Sequence, residues 1–151
     1  MKRIFILLLF FAISQANLNF AYSISPDVFI QSTVNRASQI LSENISKEEK
    51  INQLKIIAKE TVDIRGVGFY SLGAVRNDLN NDQKNTYINL FENYFLKSFS
   101  SRLSEYTNPE IEVKNKQILN NNYTIVNSVL IATDKRPEIK IDWRVYTKNP
   151  E

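Results

Sequence analysis

The sequence predicts an α+β domain in which helices pack against one face of a curved antiparallel sheet. Two observations lead to this fold class. Between residues 25 and 106, apolar positions recur every three or four residues, which is the period of an amphipathic helix. After Asn108-Pro109 the period becomes two, as in a strand with one buried face. Helices followed by a run of strands are typical of α+β domains.

The first 23 residues have the layout of a cleavable secretory signal peptide. Lys2 and Arg3 precede an apolar run from residue 4 to residue 13, and Ala21-Tyr22-Ser23 is a small-x-small cleavage site. A membrane anchor and a buried helix are the alternatives, but a bilayer requires about 20 apolar residues, roughly twice the length of this run. We therefore expect cleavage after Ser23 and secretion of a soluble domain that comprises residues 24 to 151.

Composition argues against several classes of function. The chain has no cysteine and no histidine, so disulfides, thiolate chemistry, the usual general base and the commonest metal ligand are all absent. The formal charge of +3 falls to +1 once Lys2 and Arg3 leave with the signal peptide, which does not indicate nucleic-acid binding. We expect no metal and no cofactor.

Four helices are predicted before the change of period. Their start signals are Ser25-Pro26, a capping box at residues 46 to 49, Asp63, and a second capping box at residues 80 to 83. The first helix is expected to end near Asn44, the third to run from Ile64 to Val75, and the fourth to end near Tyr106.

Three strands follow, separated by turns at residues 120 to 122 and 134 to 137. Consecutive strands joined by short turns predict an antiparallel meander with one apolar face. The residues expected on that face are Ile111, Val113, Ile125, Val129, Ile131, Ile139, Ile141, Trp143 and Val145.

The fourth helix carries an unusually wide apolar stripe. Phe91, Phe95 and Phe99 lie four residues apart, and Tyr94 widens the stripe. The apolar arc is roughly 200°, whereas a helix that only covers a core needs about 100°. The stripe fits either a filled core or the wall of a hollow. The pattern alone favours the core.

Two segments, TVDIRGVGFYSLG (residues 61 to 73) and residues 83 to 113, resemble the MlaC family, also called the toluene-tolerance auxiliary-component family. The resemblance extends over residues 25 to 147. Members of this family are periplasmic phospholipid-binding proteins. The residues that carry the resemblance are Val62-Asp63, Leu72-Gly73, Gln83, Phe91, Phe99, Leu103, Tyr106 and the strand IKIDWRVY at residues 139 to 146.

The resemblance implies a periplasmic, monomeric shuttle that holds acyl chains in an apolar cavity between the helices and the sheet. Its implied partners are an outer-membrane lipoprotein–porin complex and the substrate-binding subunit of an inner-membrane ABC transporter. The family has a further strand and a C-terminal helix that this sequence lacks, so the third strand is expected to be an open edge. The residues expected to contact lipid are Val67, Tyr70, Leu72, Phe91, Tyr94, Phe95, Phe99, Ile125, Val129, Ile141 and Trp143.

Two other functions were weighed against the lipid carrier. A periplasmic interaction module of the same fold would hold no lipid, and organic extraction followed by mass spectrometry would distinguish it. A proton-transfer enzyme would need a buried carboxylate base. Asp142 alternates with Ile141 and Trp143 and therefore points to the other face, and Asp63 reads as a helix cap, so no enzyme activity is expected.

Overall fold

The computed structural model describes residues 24 to 148, so the predicted signal peptide and residues 149 to 151 lie outside the described residues. No helix within the described range is long and apolar enough to span a bilayer. A short 3₁₀ helix, Gly73–Asn77, follows the third helix. The other elements, in chain order, are α1 (Pro26–Ser42), α2 (Lys47–Thr61), α3 (Ile64–Ser71), α4 (Asn81–Leu103), β1 (Ile111–Ile118), β2 (Tyr123–Leu130) and β3 (Ile139–Tyr146).

The three strands form an antiparallel meander in the order β1-β2-β3, which confirms the predicted α+β architecture. Leu130 of β2 pairs with Ile111 of β1 on one side and with Ile139 of β3 on the other. Within the described residues β3 pairs with β2 alone, so it is an edge strand, as expected.

The face of β2 that contacts the helices differs from the prediction by one residue. Val126 is fully buried and packs against Ile30 and Val34 of α1, and the register pairs it with Trp143 of β3. The neighbouring alternate positions, Ile125 and Val129, therefore lie on the opposite face. The prediction that these two residues face the helices is wrong.

The reason lies in the composition of β2, YTIVNSVL, which has both apolar and polar residues on each face and so does not select a register by its own period. The inner face also includes Ser128, which is 3% exposed. Its burial is tolerated because the Trp143 indole Nε1 donates a hydrogen bond to Ser128 Oγ at 2.7 Å. Because Ser128 is polar, the hydrophobic pattern predicted that the other face of β2 contacts the helices.

An ion pair joins the start of α1 to β1. A β-bulge between Val113 and Asn115 brings Lys116 to the helix-facing side, where Lys116 Nζ donates to Asp27 Oδ1 at 2.6 Å. Ser25 Oγ donates to the same oxygen at 2.6 Å and makes no cap hydrogen bond to the helix. The hydrogen bond from Lys116, followed by that from Ser25, lowers the pKa of Asp27 from 3.8 to about 2.

The helices start where predicted, but the predicted caps form only in part and two helices end early. Asp63 and Asn80 cap their helices, whereas Ser25 makes no cap hydrogen bond. The capping box predicted at residues 46 to 49 is observed as the single bond that Ser46 accepts from the Glu49 backbone N–H. Asn80 and Gln83 form the reciprocal bonds of a capping box at α4. The third helix was expected to reach Val75 and ends at Ser71, because Gly73 adopts a left-handed φ of 55°. The fourth helix ends at Leu103, three residues before the predicted end.

The helices have their own core, in which α3 lies close to α4. Ala58, Ile64 and Leu96 are buried together, and this group is called the helical core here. A Cβ atom added at Gly68 would lie 2.9 Å from Ile88 Cδ1 and 3.0 Å from a ring carbon of Phe91. Gly68 therefore lets α3 and α4 approach each other more closely than a residue with a side chain would.

Candidate functional site

An apolar cavity of about 290 Å³ lies between the helices and the sheet. Its walls come from α1, α2, the last turn of α4 with the loop after it, and the helix-facing side of all three strands. The sheet contributes Ile111, Leu130, Ile139, Ile141 and Trp143, and the helices contribute mainly Val34, Ala37, Leu41, Leu54, Ile57, Phe99 and Leu103.

The chemistry of the lining is almost purely apolar. Among the described residues no charged side chain lines the cavity, and the hydroxyl-bearing lining residues are Thr33, Ser38, Thr61 and Tyr106. The Thr33 hydroxyl donates to the carbonyl of Phe29 at 2.9 Å, and the Thr61 hydroxyl donates to the carbonyl of Ile57 at 2.7 Å. These two hydroxyls are therefore engaged by their own helices. The described lining offers an apolar ligand a complementary surface and contains no carboxylate, amine or guanidinium group.

Trp143 is the single tryptophan of the chain and lines the cavity. Its indole nitrogen is already bound to Ser128, which lies on the same face of β2. The polar atom of the side chain is thus satisfied within the sheet, and the ring contributes apolar surface to the cavity. Trp143 consequently provides an intrinsic fluorescent reporter for ligand binding in the cavity.

Three of the predicted lipid-contacting residues line the cavity together. Phe99 comes from α4, and Ile141 and Trp143 come from alternate positions of β3. Because Ile141 pairs with Ser128 and Trp143 pairs with Val126, both lie on the side of the sheet that contacts α1.

The other predicted residues lie elsewhere. On α3 and α4, Val67, Tyr70 and Tyr94 are exposed, with Tyr70 at 79%. Leu72 lines a separate surface groove between the 3₁₀ helix and the start of α4. Phe91 and Phe95 pack against the helical core, and Ile125 and Val129 are on the far face of the sheet.

The wide stripe of α4 thus divides along the helix. The rings of Phe91 and Phe95 stack with centroids 6.2 Å apart, and those of Phe95 and Phe99 with centroids 5.4 Å apart. All three contact the helical core, but from Phe99 onward the stripe also faces the cavity, where Leu103 and Tyr106 continue the wall. One part of the stripe is filled core and the other is cavity wall.

One cation lies beside this wall, in the turn between Leu130 and Ile139. The guanidinium carbon of Arg136 is 4.7 Å from the centroid of the Tyr106 ring. Its Nη2 donates to the carbonyl of Ile131 at 3.1 Å. Its Nε is buried and has no hydrogen-bond partner among the described residues.

Other polar chemistry does not reach the cavity. Asp142, the carboxylate weighed as a base, is exposed and accepts a hydrogen bond from Asn127 Nδ2 at 2.7 Å on the far face of the sheet. Across the described range, no group of three or more His, Cys, Asp or Glu side chains is placed to hold a metal ion.

Comparison with known proteins assigns the chain to a family. The family model described as MlaC protein matches residues 31 to 151. The chain belongs to the MlaC family. No curated protein sequence gives a significant match.

The fold of this MlaC-family chain also resembles a solved structure. That structure is the phospholipid-binding protein from Ralstonia solanacearum in complex with a phospholipid, determined at 1.53 Å resolution. The TM-score is 0.68 at 10% sequence identity, and the match covers 84% of this chain and 73% of the other. At this identity the match establishes a shared fold.

Sequence reasoning missed most of the cavity wall in this MlaC-family chain. Val34, Leu41, Leu54 and Ile57 were recognisable from their helical spacing as inward-facing positions. That spacing does not separate a residue that touches other side chains from one that faces a hollow, because both sites select the same residue types. Arg136 had no sequence signal beyond its place in a turn.

Proposed function

We propose that this MlaC-family chain is a phospholipid carrier and that its apolar cavity receives the acyl chains. The supporting observation is the cavity itself: helices and sheet leave a hollow that no charged side chain of the described residues lines. The likeness in fold to a protein named for phospholipid binding adds support. Because the described lining contains no carboxylate, amine or guanidinium group, binding rather than catalysis is the proposed activity.

The physical demands on a carrier match this lining. Each buried methylene gains about 0.8 kcal/mol relative to water, and the bilayer interior offers nearly the same. Transfer between membrane and cavity is therefore close to balance. Such a protein needs a dry, apolar site and no group that drives a reaction.

The cavity is small for a phospholipid. Its volume of about 290 Å³ lies at the lower end of the range of ligand pockets, about 300 to 1,000 Å³. We therefore propose that the helices move away from the sheet when a diacyl lipid binds. Ala37 of α1 and Leu103 of α4 both line the cavity and are the helix positions where we expect that movement.

The route of the lipid is the finer part of the proposal. We propose a periplasmic shuttle between an outer-membrane lipoprotein–porin complex and an inner-membrane ABC transporter. The support is the family membership and the signal-like start of the sequence, Lys2 to Ser23. Transfer of labelled phospholipid from protein to vesicles that carry either complex would test this route.

The binding proposal is tested by delipidating the secreted protein, adding phospholipid vesicles, reisolating the protein and measuring lipid by extraction and mass spectrometry. We expect about one phospholipid per protein molecule at saturation. Protein that remains free of lipid under these conditions would refute the carrier function.

A second candidate is a periplasmic interaction module that holds no lipid. The observation that favours it is the group of exposed apolar side chains on α3 and α4, among them Tyr70, Leu90 and Tyr94. The same uptake experiment separates the two, because an interaction module would take up no phospholipid.

A further inference from the structure

We propose that Arg136 binds the phosphate of the lipid headgroup, so that the cavity selects phosphate-bearing lipids over uncharged lipids with the same acyl chains. The proposal rests on the proposed function, since it takes the lipid to be bound in the cavity. It assigns Arg136 as a specificity-determining residue of that site.

The position of Arg136 places its charge where a lipid would leave the apolar wall. The residue lies in the turn between Leu130 and Ile139, which both line the cavity, and its guanidinium lies over Tyr106, a third lining residue. Ile139 is 38% exposed, so the cavity approaches the protein surface at this end of the sheet. A lipid with its chains inside would have its headgroup near this end.

The hydrogen bonds of Arg136 leave donors unused. A guanidinium has five N–H groups, and the bond identified here is the one from Nη2 to the carbonyl of Ile131. The Nε hydrogen is buried without an acceptor among the described residues. That atom is enclosed by the protein, so a ligand would use the donors that remain on the two terminal nitrogens of this half-buried side chain.

Arg136 also lacks an anion. The ion pairs within the described residues are Arg36–Glu60, Lys59–Glu92, Lys114–Glu112 and Lys116–Asp27, and Arg136 takes part in none of them. The residue is half-buried, so water only partly compensates its charge. Phosphate oxygens match the planar fork of a guanidinium and would supply both the acceptors and the negative charge.

A purely structural role for Arg136 makes a different prediction. The bond to Ile131 fastens the turn, and the contact with Tyr106 holds the plane of the guanidinium. If these were its whole purpose, replacement would change stability and leave headgroup preference unaltered. Headgroup preference is therefore the decisive measurement.

The experiment compares two lipids with the same short chains, dioctanoyl phosphatidylglycerol and dioctanoylglycerol, on delipidated protein. Binding is followed by Trp143 emission. For the natural sequence we expect the phospholipid to bind about tenfold more tightly, as for one charge-assisted hydrogen-bonded contact. The preference should weaken at high salt, because the guanidinium is partly open to solvent.

Substitutions of Arg136 test whether this residue causes the preference for the phospholipid. In Arg136→Gln the two lipids should bind with equal affinity, whereas Arg136→Lys should retain part of the preference through its charge. Lys135→Gln is the matched control, since it removes the adjacent, exposed positive charge and should keep the full preference. If Arg136→Gln does not fold, Arg136→Lys is the second variant, and an undiminished preference in it would overturn the role of the guanidinium.

The outcomes separate this proposal from the one it rests on. Equal affinity for the two lipids in the natural sequence, or an unchanged preference in folded Arg136→Gln, would overturn the role of Arg136 and leave the carrier function intact. Failure of both lipids to bind would overturn the carrier function itself. Inorganic phosphate is the third probe: tight binding of it that Arg136→Gln abolishes, with no preference between the lipids, would assign a free-phosphate site and overturn the headgroup role.

Discussion

The apolar stripe of α4 has a filled end, at Phe91 and Phe95, and a cavity end, at Phe99 and Leu103, which use the same kind of residue for different purposes. At the filled end, near the middle of the helix, the rings pack against the helical core, where α3 approaches closely at Gly68. Toward its end, Phe99 and Leu103 face a hollow bounded by the sheet. The helix is apolar on both stretches, so its own sequence does not distinguish them. What distinguishes them is the element that lies opposite.

The opposing elements differ in how closely they approach. The third helix is only Ile64–Ser71 and carries a glycine at its contact with α4, which allows close packing. Opposite the end of α4, the row Ile111, Leu130 and Ile139 belongs to a sheet whose strands are fixed by their own hydrogen bonds. The sheet cannot fill the gap by moving one residue, so a hollow remains.

The largest effect is expected for Phe95→Asp. Phe95 is half-buried against the helical core and does not line the cavity, so losing its packing and adding a carboxylate should lower the free energy of unfolding by about 2 to 3 kcal/mol. Tyr94→Asp is the matched control on an exposed neighbour, with an expected change within about 0.5 kcal/mol. Circular dichroism melting measures both. A stable Phe95→Asp protein that has lost its lipid would place Phe95 at the ligand instead.

Gly68→Val tests whether any free space remains where α3 contacts the filled end of the stripe on α4. The branched side chain would collide with Ile88 and Phe91, and we expect a destabilisation of about 2 kcal/mol in urea unfolding. Gly68→Ala should cost less, because its Cβ meets the same two neighbours without further atoms and a gain in helix propensity of up to about 1 kcal/mol offsets part of the cost. Equal stability of the valine variant and the natural sequence would mean that free space exists between α3 and α4.

Ala37→Leu tests the cavity by adding volume where the structure leaves space. Ala37 lines the cavity, so a leucine there can occupy empty volume, and the free energy of unfolding should stay within about 1 kcal/mol or rise. Bound phospholipid should fall severalfold because the added side chain occupies its space. Ala74→Leu on the exposed 3₁₀ helix is the matched control and should leave lipid content unchanged. Unchanged lipid content in Ala37→Leu would mean that the ligand does not occupy the space beside Ala37.

The smallest effect is expected at the ion pair that joins α1 to the sheet. Because the pKa of Asp27 is lowered from 3.8 to about 2, its contribution to stability is present above pH 3.8 and is lost as the pH falls toward 2. Asp27→Asn should cost about 0.5 kcal/mol at neutral pH, as is usual for a partly exposed pair. It should also flatten the pH dependence of unfolding in that acid range. An unchanged acid profile would show that Lys116 does not hold this carboxylate.

Local signals in the sequence predicted the fold well, since they act within a few residues. The capping box of Asn80 and Gln83 and the turns between strands are of this kind. The face of β2 was mispredicted because Ser128 is buried through a hydrogen bond from Trp143, a residue in another strand. The cavity wall was only partly predicted for the same reason: whether an inward residue meets a side chain or a void depends on distant elements.

The most direct experiment places the single tryptophan first at the cavity wall, as Trp143 of β3, and then in the filled end of α4's apolar stripe. In the natural sequence Trp143 lines the cavity, so phospholipid with brominated acyl chains should quench its fluorescence strongly. In the double variant Trp143→Phe, Phe95→Trp the single tryptophan lies in the filled end, and the same lipid should leave its emission nearly unchanged while extraction shows that lipid is bound. Quenching at position 95 with none at position 143 would contradict the division of the molecule into a filled end and a lipid-receiving end.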